Sequence, residues 1–436
     1  MAAYAKLRRR EFVEEQRLFS ATDADHWDEH PETIVLTALG PGGAVLGGVR
    51  LHPESLELGW WRGSRLVTAA GSGAGRSVIG AALVRAACAH ALRAGALRFD
   101  AHVQLPHEPF FSQLGWRTIR PMEIAGAPHL VMRWPISRLA DQAHATKSPL
   151  GSLVGSMLPR DRWRGDDCAL LQGSDVVACV DAITPSMVDR DPEWAGWCGM
   201  LVTANDLAAM GARPVGVLDA VGGRDAAHVA SVLRGVRAGS EAFELPVLGG
   251  HTQLGVPGAL SVSGFGRAAA PVPGGGGSAG DALWVSADLA GRWRRGYHGG
   301  QWDSTSGRRR AELRPMLQLV AGTRPHAAKD VSMAGIVGTI SMLAEASGCG
   351  AELELARVPR PSQARLADWL TCFPGFAMVL AQPIGAPVGN GGSAVSARCG
   401  FLSSQGGVRL RWPDGEVTTA IGSSAVTRLG PAADEA

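Results

Sequence analysis

Thr203-Ala204-Asn205-Asp206-Leu207-Ala208-Ala209-Met210-Gly211-Ala212-Arg213-Pro214 sets a single carboxylate into an apolar, helix-like run that stops at a glycine and a proline. An unpaired charge buried in such a run is costly, and a divalent cation at its end would remove the cost. Two further acidic signals precede it. Gly165-Asp166-Asp167-Cys168-Ala169-Leu170-Leu171 places two carboxylates between a glycine and an apolar run, and Cys179-Val180-Asp181 ends a strand-like run on an acid. Each alone reads as a turn or a capped helix. Three in this order read as a site for Mg²⁺ and phosphates, because phosphoryl transfer from ATP asks the protein for carboxylates on the metal and for backbone donors near the phosphates.

Working outward, Leu248-Gly249-Gly250-His251-Thr252-Gln253 follows, then Val262-Ser263-Gly264-Phe265-Gly266-Arg267 and Gly280-Asp281-Ala282-Leu283. Lys329-Asp330-Val331-Ser332-Met333-Ala334-Gly335-Ile336 closes the series. From about Gly165 to Val417 this order resembles the aminoimidazole-ribonucleotide-synthetase-like superfamily, which includes thiamine-monophosphate kinase, selenophosphate synthetase and a hydrogenase-maturation dehydratase. GDDCALL is similar to its G-D-D-A-A-x-L, CVDAITPSMV to its T-D segment, and TANDLAAMGARP to N-x-S-D-L-A-A-M-G-A-x-P. The resemblance implies that Asp166, Asp167, Asp181 and Asp206 bind Mg²⁺ and the ATP phosphates, with Asn205, Gly249, Gly250 and His251 in the nucleotide site. It implies that Asp330 and Ser332 face the substrate, Asp330 as a catalytic residue. The implied fold is two α/β halves, the first pairing across a two-fold axis so that a homodimer interface holds the nucleotide. His251 stands where the family has an acid. No cysteine precedes the GDD segment on its arm, which disfavours selenophosphate synthesis, and KDVSMAG lacks the second acid of D-x-S-D-G expected for thiamine-phosphate phosphorylation. Lys147 reads either as an arm residue folding over the phosphates or as a solvated linker lysine.

The first 136 residues have another rhythm. Short apolar runs such as Thr33 to Leu39 alternate with turns such as Gly40-Pro41-Gly42-Gly43, and Ile79, Leu83, Ala87 and Ala91 recur every four residues on a helix predicted over Ser77 to Ala94. Arg98 to Gln104 returns to period two, with Asp100, His102 and Gln104 on one face. Between them, Leu66-Val67-Thr68 feeds the glycine-rich turn Ala69 to Arg76 and then the helix, an arrangement whose free N–H groups make an anion site. Together with LRRREFVEEQRLF and Asp23-Ala24-Asp25, and with Phe111-Ser112-Gln113-Leu114-Gly115-Trp116, the segment from about Arg8 to Trp134 resembles the GNAT acyltransferase family. That resemblance implies acetyl-CoA held by Gly73, Gly75, Arg76 and Gly80, and transfer of its acyl group to an amine. Val78 departs from a usual glycine and Phe111 from a frequent tyrosine. The chemistry needs a base, and Asp100 and His102 are the candidates, with His107 and Glu108 close behind; the other reading makes Asp100 and His102 the wet face of an edge strand. Glu14 and Glu15 read as solvated helix acids, and His26 and His30, amid Asp25, Asp28 and Glu29, as part of a solvated acidic segment rather than a metal site.

Length and composition bound these readings. At 436 residues, 46% hydrophobic and 19% charged, the chain carries core material for two or three domains. The expected organisation is a mixed α+β sheet domain over 1–136, a linker or arm over 137–163, and an α/β domain of two halves over 164–272 and 281–436 with the glycine run Pro273 to Gly280 between them. A net charge of +2 argues against nucleic-acid partners, and no run of 18 apolar residues argues for a membrane. Seven cysteines without a C-x-x-C pair point to a reduced, cytoplasmic protein, and the resemblances imply small-molecule substrates. The two resemblances together imply a fused enzyme, an acetyl-CoA-dependent N-acyltransferase joined to an ATP- and Mg²⁺-dependent activating module; the fusion resembles a pair of proteins encoded beside nitrilases in bacterial nitrogen-starvation clusters, which implies a nitrogen-assimilation role, and the alternative makes the N-terminal domain a non-catalytic docking module.

Overall fold

The computed structural model describes residues 2–69 and 73–432. These form two compact units, residues 1–138 with 365–367 and residues 139–364 with 368–436. No helix among the described residues is long and apolar enough to cross a membrane.

In the first unit, α1 (Ala2–Arg9) runs into a π-helical turn, Arg10–Glu15, and the chain then builds a sheet from β1 (Ile34–Leu39), β2 (Val45–Ser55) and β3 (Trp60–Thr68). Helix α2 (Gly73–Arg93), β4 (Arg98–Gln104), α3 (Glu108–Gln113), β5 (Arg117–Ile124) and β6 (Ala127–Trp134) complete it. The strand order is β1-β2-β3-β4-β6-β5. All neighbours are antiparallel except β3 and β4, which pair in parallel only over Trp60–Gly63 and Arg98–Ala101. Beyond that point they carry no mutual register, so the sheet opens between them. Just past the split, the β2–β3 register slips between Gly48 and Arg50, and Arg65 takes φ +54°, a bulge that re-aims β3. The four-residue spacing on α2 does what its pattern predicts: Leu83, Val84, Ala87 and Ala91 are buried against Val49, Leu51, Phe99 and Ala101.

Ion pairs tie the N-terminal helix to this sheet. Arg8, 4% exposed, reaches Asp23 at 2.6 Å and Asp28 at 2.5 Å, while Arg50 holds Asp25 at 2.6 Å and Asp28 at 2.9 Å. Arg65 adds a third cation at 3.1 Å from Asp25, and its carbonyl accepts from the Tyr4 hydroxyl at 2.7 Å. Burial opposes ionisation of Asp25, but the Arg50 hydrogen bonds outweigh it and hold the carboxyl below its usual range. Asp28 is held lower still, against burial, by its bonds to Arg8.

The second unit begins where a linker was expected. Residues 138–154 are instead helical, as α4 (Arg138–Lys147) and α5 (Leu150–Val154), because Leu139 and Ala143, one turn apart, are both buried. Then come β7 (Ala169–Leu170), β8 (Val176–Ile183), α6 (Pro185–Arg190), α7 (Pro192–Ala209), β9 (Arg213–Gly223), α8 (Ala226–Phe243), β10 (Val247–Leu254) and β11 (Ala259–Arg267). Their sheet has the order β10-β9-β11-β8-β7, with β10 parallel to β9 and every other pair antiparallel. Fifteen of the 18 residues of α7 are buried, so this helix shows no polar face. It packs on α8 backbone to backbone: a Cβ on Gly196 would lie 2.1 Å from the Val232 carbonyl oxygen, and one on Gly235 only 1.8 Å from that of Glu193.

The C-terminal half contains β12 (Ala282–Ala287), the short ribbon β13 (Arg292–Trp293) and β14 (Trp302–Asp303), α9 (Arg310–Leu317), α10 (Leu319–Thr323), β15 (Ala327–Asp330) and α11 (Gly335–Ala346). It continues through β16 (Gly350–Glu354), α12 (Leu366–Thr371), β17 (Ala377–Gln382), β18 (Val395–Ser403), β19 (Val408–Arg411) and β20 (Val417–Ile421). Its sheet runs β15-β17-β12-β18-β16-β19-β20, and β15, the strand that carries Asp330, is buried at one edge. Helix α11 has 11 of its 12 residues buried.

Gly235→Ala is expected to destabilise the second unit by about 3 kcal/mol, because the obstacle is a carbonyl that cannot rotate away; the shift of its urea midpoint at constant slope checks this. In the first unit, Asp25 and Asp28 titrate below their unfolded values. Their stabilising contribution is therefore complete above pH about 4 and is lost as pH falls through that range toward the folded values. Hydrogen exchange over residues 2–30, followed downward from pH about 5, should show protection collapsing in that window, and Asp28→Asn should lower protection at neutral pH while flattening the acid dependence.

Candidate functional site

The second unit gathers five carboxylates. Asp166 and Asp167 lie in the turn before β7, Asp181 on β8, Asp206 on buried α7 and Asp330 at the end of β15. Lys329, 2% exposed, stands among them: its ammonium donates to the Gly165 carbonyl at 2.8 Å and to Asp167 Oδ1 at 3.0 Å. The other oxygen of Asp167 accepts from the Asp330 backbone N–H at 2.9 Å, and Asp166 Oδ1 accepts from Gly274 N–H at 2.9 Å. Three other oxygens are stranded. Asp166 Oδ2, Asp181 Oδ2 and Asn205 Oδ1 are buried with no hydrogen-bond partner, the Asn205 amide having donated its N–H to the Gly375 carbonyl at 2.9 Å.

Electrostatics register the crowding. Burial, then the charges of Asp330 and Asp181, push the Asp206 carboxyl well above its usual range, and burial with Asp167 and Asp181 does the same to Asp330. Asp166 is pushed up to about 6 by burial, with Lys329 pulling the other way. Burial raises Asp181 too, while a hydrogen bond with Asp206 lowers it. One buried ammonium cannot balance five carboxylates. Lys147, on α4, also acts on Asp181 and Asp330, so this lysine lies within electrostatic reach of the cluster.

Oxygen-only donors with stranded lone pairs fit a hard divalent cation such as Mg²⁺. Among the described residues, no three side chains of His, Cys, Asp or Glu stand close enough together to hold a metal unaided. The expected nucleotide residues are divided. Asn205 sits beside Asp206 on α7, whereas Gly249, Gly250 and His251 lie exposed along β10, the edge strand. Gly250 packs over Asp219, where a Cβ would come 2.5 Å from the carboxylate. Lys329 is the residue that sequence reasoning passed over, although one of only three lysines set in the apolar run Ala327-Ala328 was a usable signal.

The first unit holds a cavity of about 600 Å³ where β3 and β4 part, lined among others by Arg62, Arg65, Arg76, His102, His107 and Phe111. Gly75 and Arg76 begin α2 and are exposed, and Gly80 faces Phe110. Gly73 is the first residue of that helix, while Ala70, Gly71 and Ser72 of the glycine-rich turn lie outside the described residues. Arg76 pairs with Glu11 at 3.0 Å and donates to Thr68 Oγ1 at 3.0 Å.

The two candidate bases separate. Asp100 is 1% exposed and clamped by Arg98 and Arg133, each at 2.6 Å, with the Trp60 indole N–H at 3.2 Å. Both of its oxygens are occupied by donors, so it acts as the anchor of an ion-pair clamp and not as a base. His102 does line the cavity, and burial followed by the Arg62 charge lowers its pKa to about 4, which keeps it neutral. Of the flanking residues, His107 lines the cavity and Glu108 binds Thr118 at 2.5 Å. Glu14 and Glu15 form exposed pairs with Arg9 and Arg10. His26 and His30 flank the Trp27 ring at 4.6 and 5.2 Å, and their acidic neighbours are the arginine-paired Asp25 and Asp28.

Comparison with known proteins now bears on the second unit. Residues 165–268 match the AIR synthase related protein, N-terminal domain, and residues 275–386 match the AIR synthase related protein, C-terminal domain. An uncharacterized protein of Synechocystis sp. is 33% identical over 226 residues, covering 50% of this chain and 69% of that protein. The thiamine-monophosphate kinase of Methanospirillum hungatei is 29% identical over 215 residues, 46% of this chain and 71% of the kinase. Phosphoribosylformylglycinamidine synthase II from Thermotoga maritima superposes with a TM-score of 0.53 at 15% identity, over 70% of this chain and 54% of that one, and so shares the fold. With both domains present in tandem, and a relative matched over more than two thirds of its length, the chain belongs to the AIR synthase related protein family.

Proposed function

We propose that the second unit is an ATP- and Mg²⁺-dependent enzyme that activates a small molecule by phosphoryl transfer. The stranded oxygens of Asp166, Asp181 and Asn205 in a cluster of buried carboxylates carry this reading, because a bound cation would complete acceptors that no protein donor reaches and offset the crowded charge. Asp166, Asp167, Asp181 and Asp206 would share the holding of Mg²⁺ with water and phosphate oxygens, since no three of them stand close enough to hold it unaided; when bound it would supply charge neutralisation on the transferring phosphoryl oxygens. Lys329 and the Gly274 N–H fix Asp167 and Asp166 in place before any ligand arrives. Asp330, tied through its N–H to Asp167, is placed to meet the substrate together with Ser332. Relatives named thiamine-monophosphate kinase support the reaction class. KDVSMAG, without the second acid of D-x-S-D-G, disfavours thiamine phosphate as the substrate.

The nucleotide residues on β10 are completed by a second copy of the chain. Val180, Ser263 and Leu218 are register partners across the sheet, continuing to Gly249 on β10, on the face away from the buried α7 core. Val180 is 67% exposed and Leu248 58%, and β10 leaves one edge unpaired, a combination that a monomer seldom tolerates. A homodimer through this face would bring Gly249, Gly250 and His251 to the interface.

A second activity belongs to the first unit, where the parting of β3 and β4 supports acyl transfer from acetyl-CoA to an amine. The cavity there holds a neutral imidazole, His102, at the point where the parallel pairing ends. The competing reading, a docking module without turnover, is favoured by Phe111, which is buried edge-on against Trp116 and offers no hydroxyl.

MgATP at about 100 times its Kd should stabilise the second unit by about 2.7 kcal/mol. Asp206→Asn should abolish that shift in thermal unfolding and yet raise the melting temperature of the metal-free protein, since it removes a crowded buried carboxylate. Sedimentation should show a dimer, and Leu248→Lys should yield monomers whose affinity for MgATP falls at least tenfold.

A further inference from the structure

The cavity of the first unit carries a charge pattern that selects its acceptor. Three arginines line it and Glu11 is the one acid among the lining residues described. Two of the arginines are committed: Arg76 to Glu11 and Thr68, Arg65 to Asp25 and, through two donors, to the Asp23 carbonyl. Arg62 is not. Its Nη1 meets Glu54 Oε1 at 2.9 Å, and Glu54 has no place in the lining. Its Nε is buried with no hydrogen-bond partner, and Glu54 is its one ion-pair partner among the described residues.

A guanidinium has two bidentate edges, and occupation of Nη1 by Glu54 leaves the Nε–Nη2 edge for a planar, two-oxygen anion. Arg62 lies on β3 within the last stretch still paired to β4, opposite Asp100 and two residues along β4 from His102. His129, which also lines the cavity, donates from Nδ1 to the Ala127 carbonyl at 2.9 Å. The cavity thus offers one guanidinium edge that no carboxylate occupies, three imidazoles and, in Glu11, only an arginine-paired acid. An acceptor whose only charge is ammonium finds nothing there to pair with.

The geometry points to an aminocarboxylate as the acyl acceptor, its carboxylate held by the Nε–Nη2 edge of Arg62 and its amine presented to His102. This rests on the acyl-transfer reading of the first unit. The ammonium gives one proton to the His102 imidazole, the amine nitrogen forms a C–N bond with the thioester carbonyl carbon, and the C–S bond breaks. The second proton on nitrogen goes to the leaving thiolate, and His102 returns its proton to solvent. The products are an N-acyl carboxylate and free thiol.

The test uses the full chain with acetyl-CoA and matched acceptors: β-alanine against propylamine, and γ-aminobutyrate against butylamine, with free thiol as the readout and acetyl-CoA binding measured separately. At least tenfold higher kcat/KM for the aminocarboxylates supports the inference. Arg62→Gln should then raise their KM at least tenfold and shrink their preference over the matched amines to less than threefold, a comparison that cancels any change at His102, and Arg62→Lys, which keeps charge and loses the fork, should recover only part of the preference. If either variant fails to bind acetyl-CoA as the parent does, the parent's own discrimination between matched acceptors decides. Acetyl-CoA bound, with both acceptor classes turned over equally or amines preferred, overturns the inference and leaves acyl transfer standing. Acetyl-CoA neither bound nor consumed overturns acyl transfer and the inference with it.

Discussion

Crowding of carboxylates around one buried ammonium is the constraint on which the second unit depends. Lys329 donates to the turn at Gly165 and to Asp167, Asp167 in turn accepts from the backbone of Asp330, and Asp166 accepts from Gly274. Five separate stretches of chain, the turn before β7, β8, the glycine run, β15 and the buried face of α7, therefore converge on one pool of charge. Stability alone would favour apolar residues there, since desolvating an ion pair commonly costs what the pairing returns. A cluster left short of cations and carrying oxygens without partners makes sense as a binding site held ready.

Such a cluster needs backbone to come close, and glycine makes this possible. A Cβ on Gly274 would fall 2.6 Å from Asp166 Oδ1 and 2.8 Å from Lys329 Nζ, so the run that looks like a flexible divider is packed against the site. Gly335, with φ +69°, turns the chain from the Asp330 segment into α11, and a Cβ there would strike the Leu370 carbonyl at 2.5 Å. The glycines at 196 and 235 let α7 lie against α8 closely enough that the acid-bearing helix is buried almost throughout.

A different constraint shapes the first unit. Two parallel strands that pair for four residues and then part leave unpaired backbone and a cavity between them, and the bulge at Arg65 sets where the parting falls. Arginine–aspartate pairs hold the N-terminal helix against the opening. The same chemistry removes Asp100 from the reacting groups, since two guanidiniums saturate it.

Local signals carried much of this. The acids in their apolar and glycine settings marked the second unit, the four-residue spacing marked α2, and the period-two run marked β4 over the residues where it forms. Residues 137–163 misled because a short helix held by two buried side chains, Leu139 and Ala143, leaves little apolar rhythm. Asp100 and His102 share a strand face by alternation alone, and that pattern could not say which of them arginines from other strands would reach. What the sequence by itself determined was which residue types stand where: carboxylates after strands, glycines at close approaches, a turn before a helix. Tertiary structure decided which of those groups are satisfied. Asp167 has both oxygens engaged while Asp166, Asp181 and Arg62 each keep a buried atom without a partner, and such pairing depends on contacts between residues far apart in the chain that no local pattern encodes.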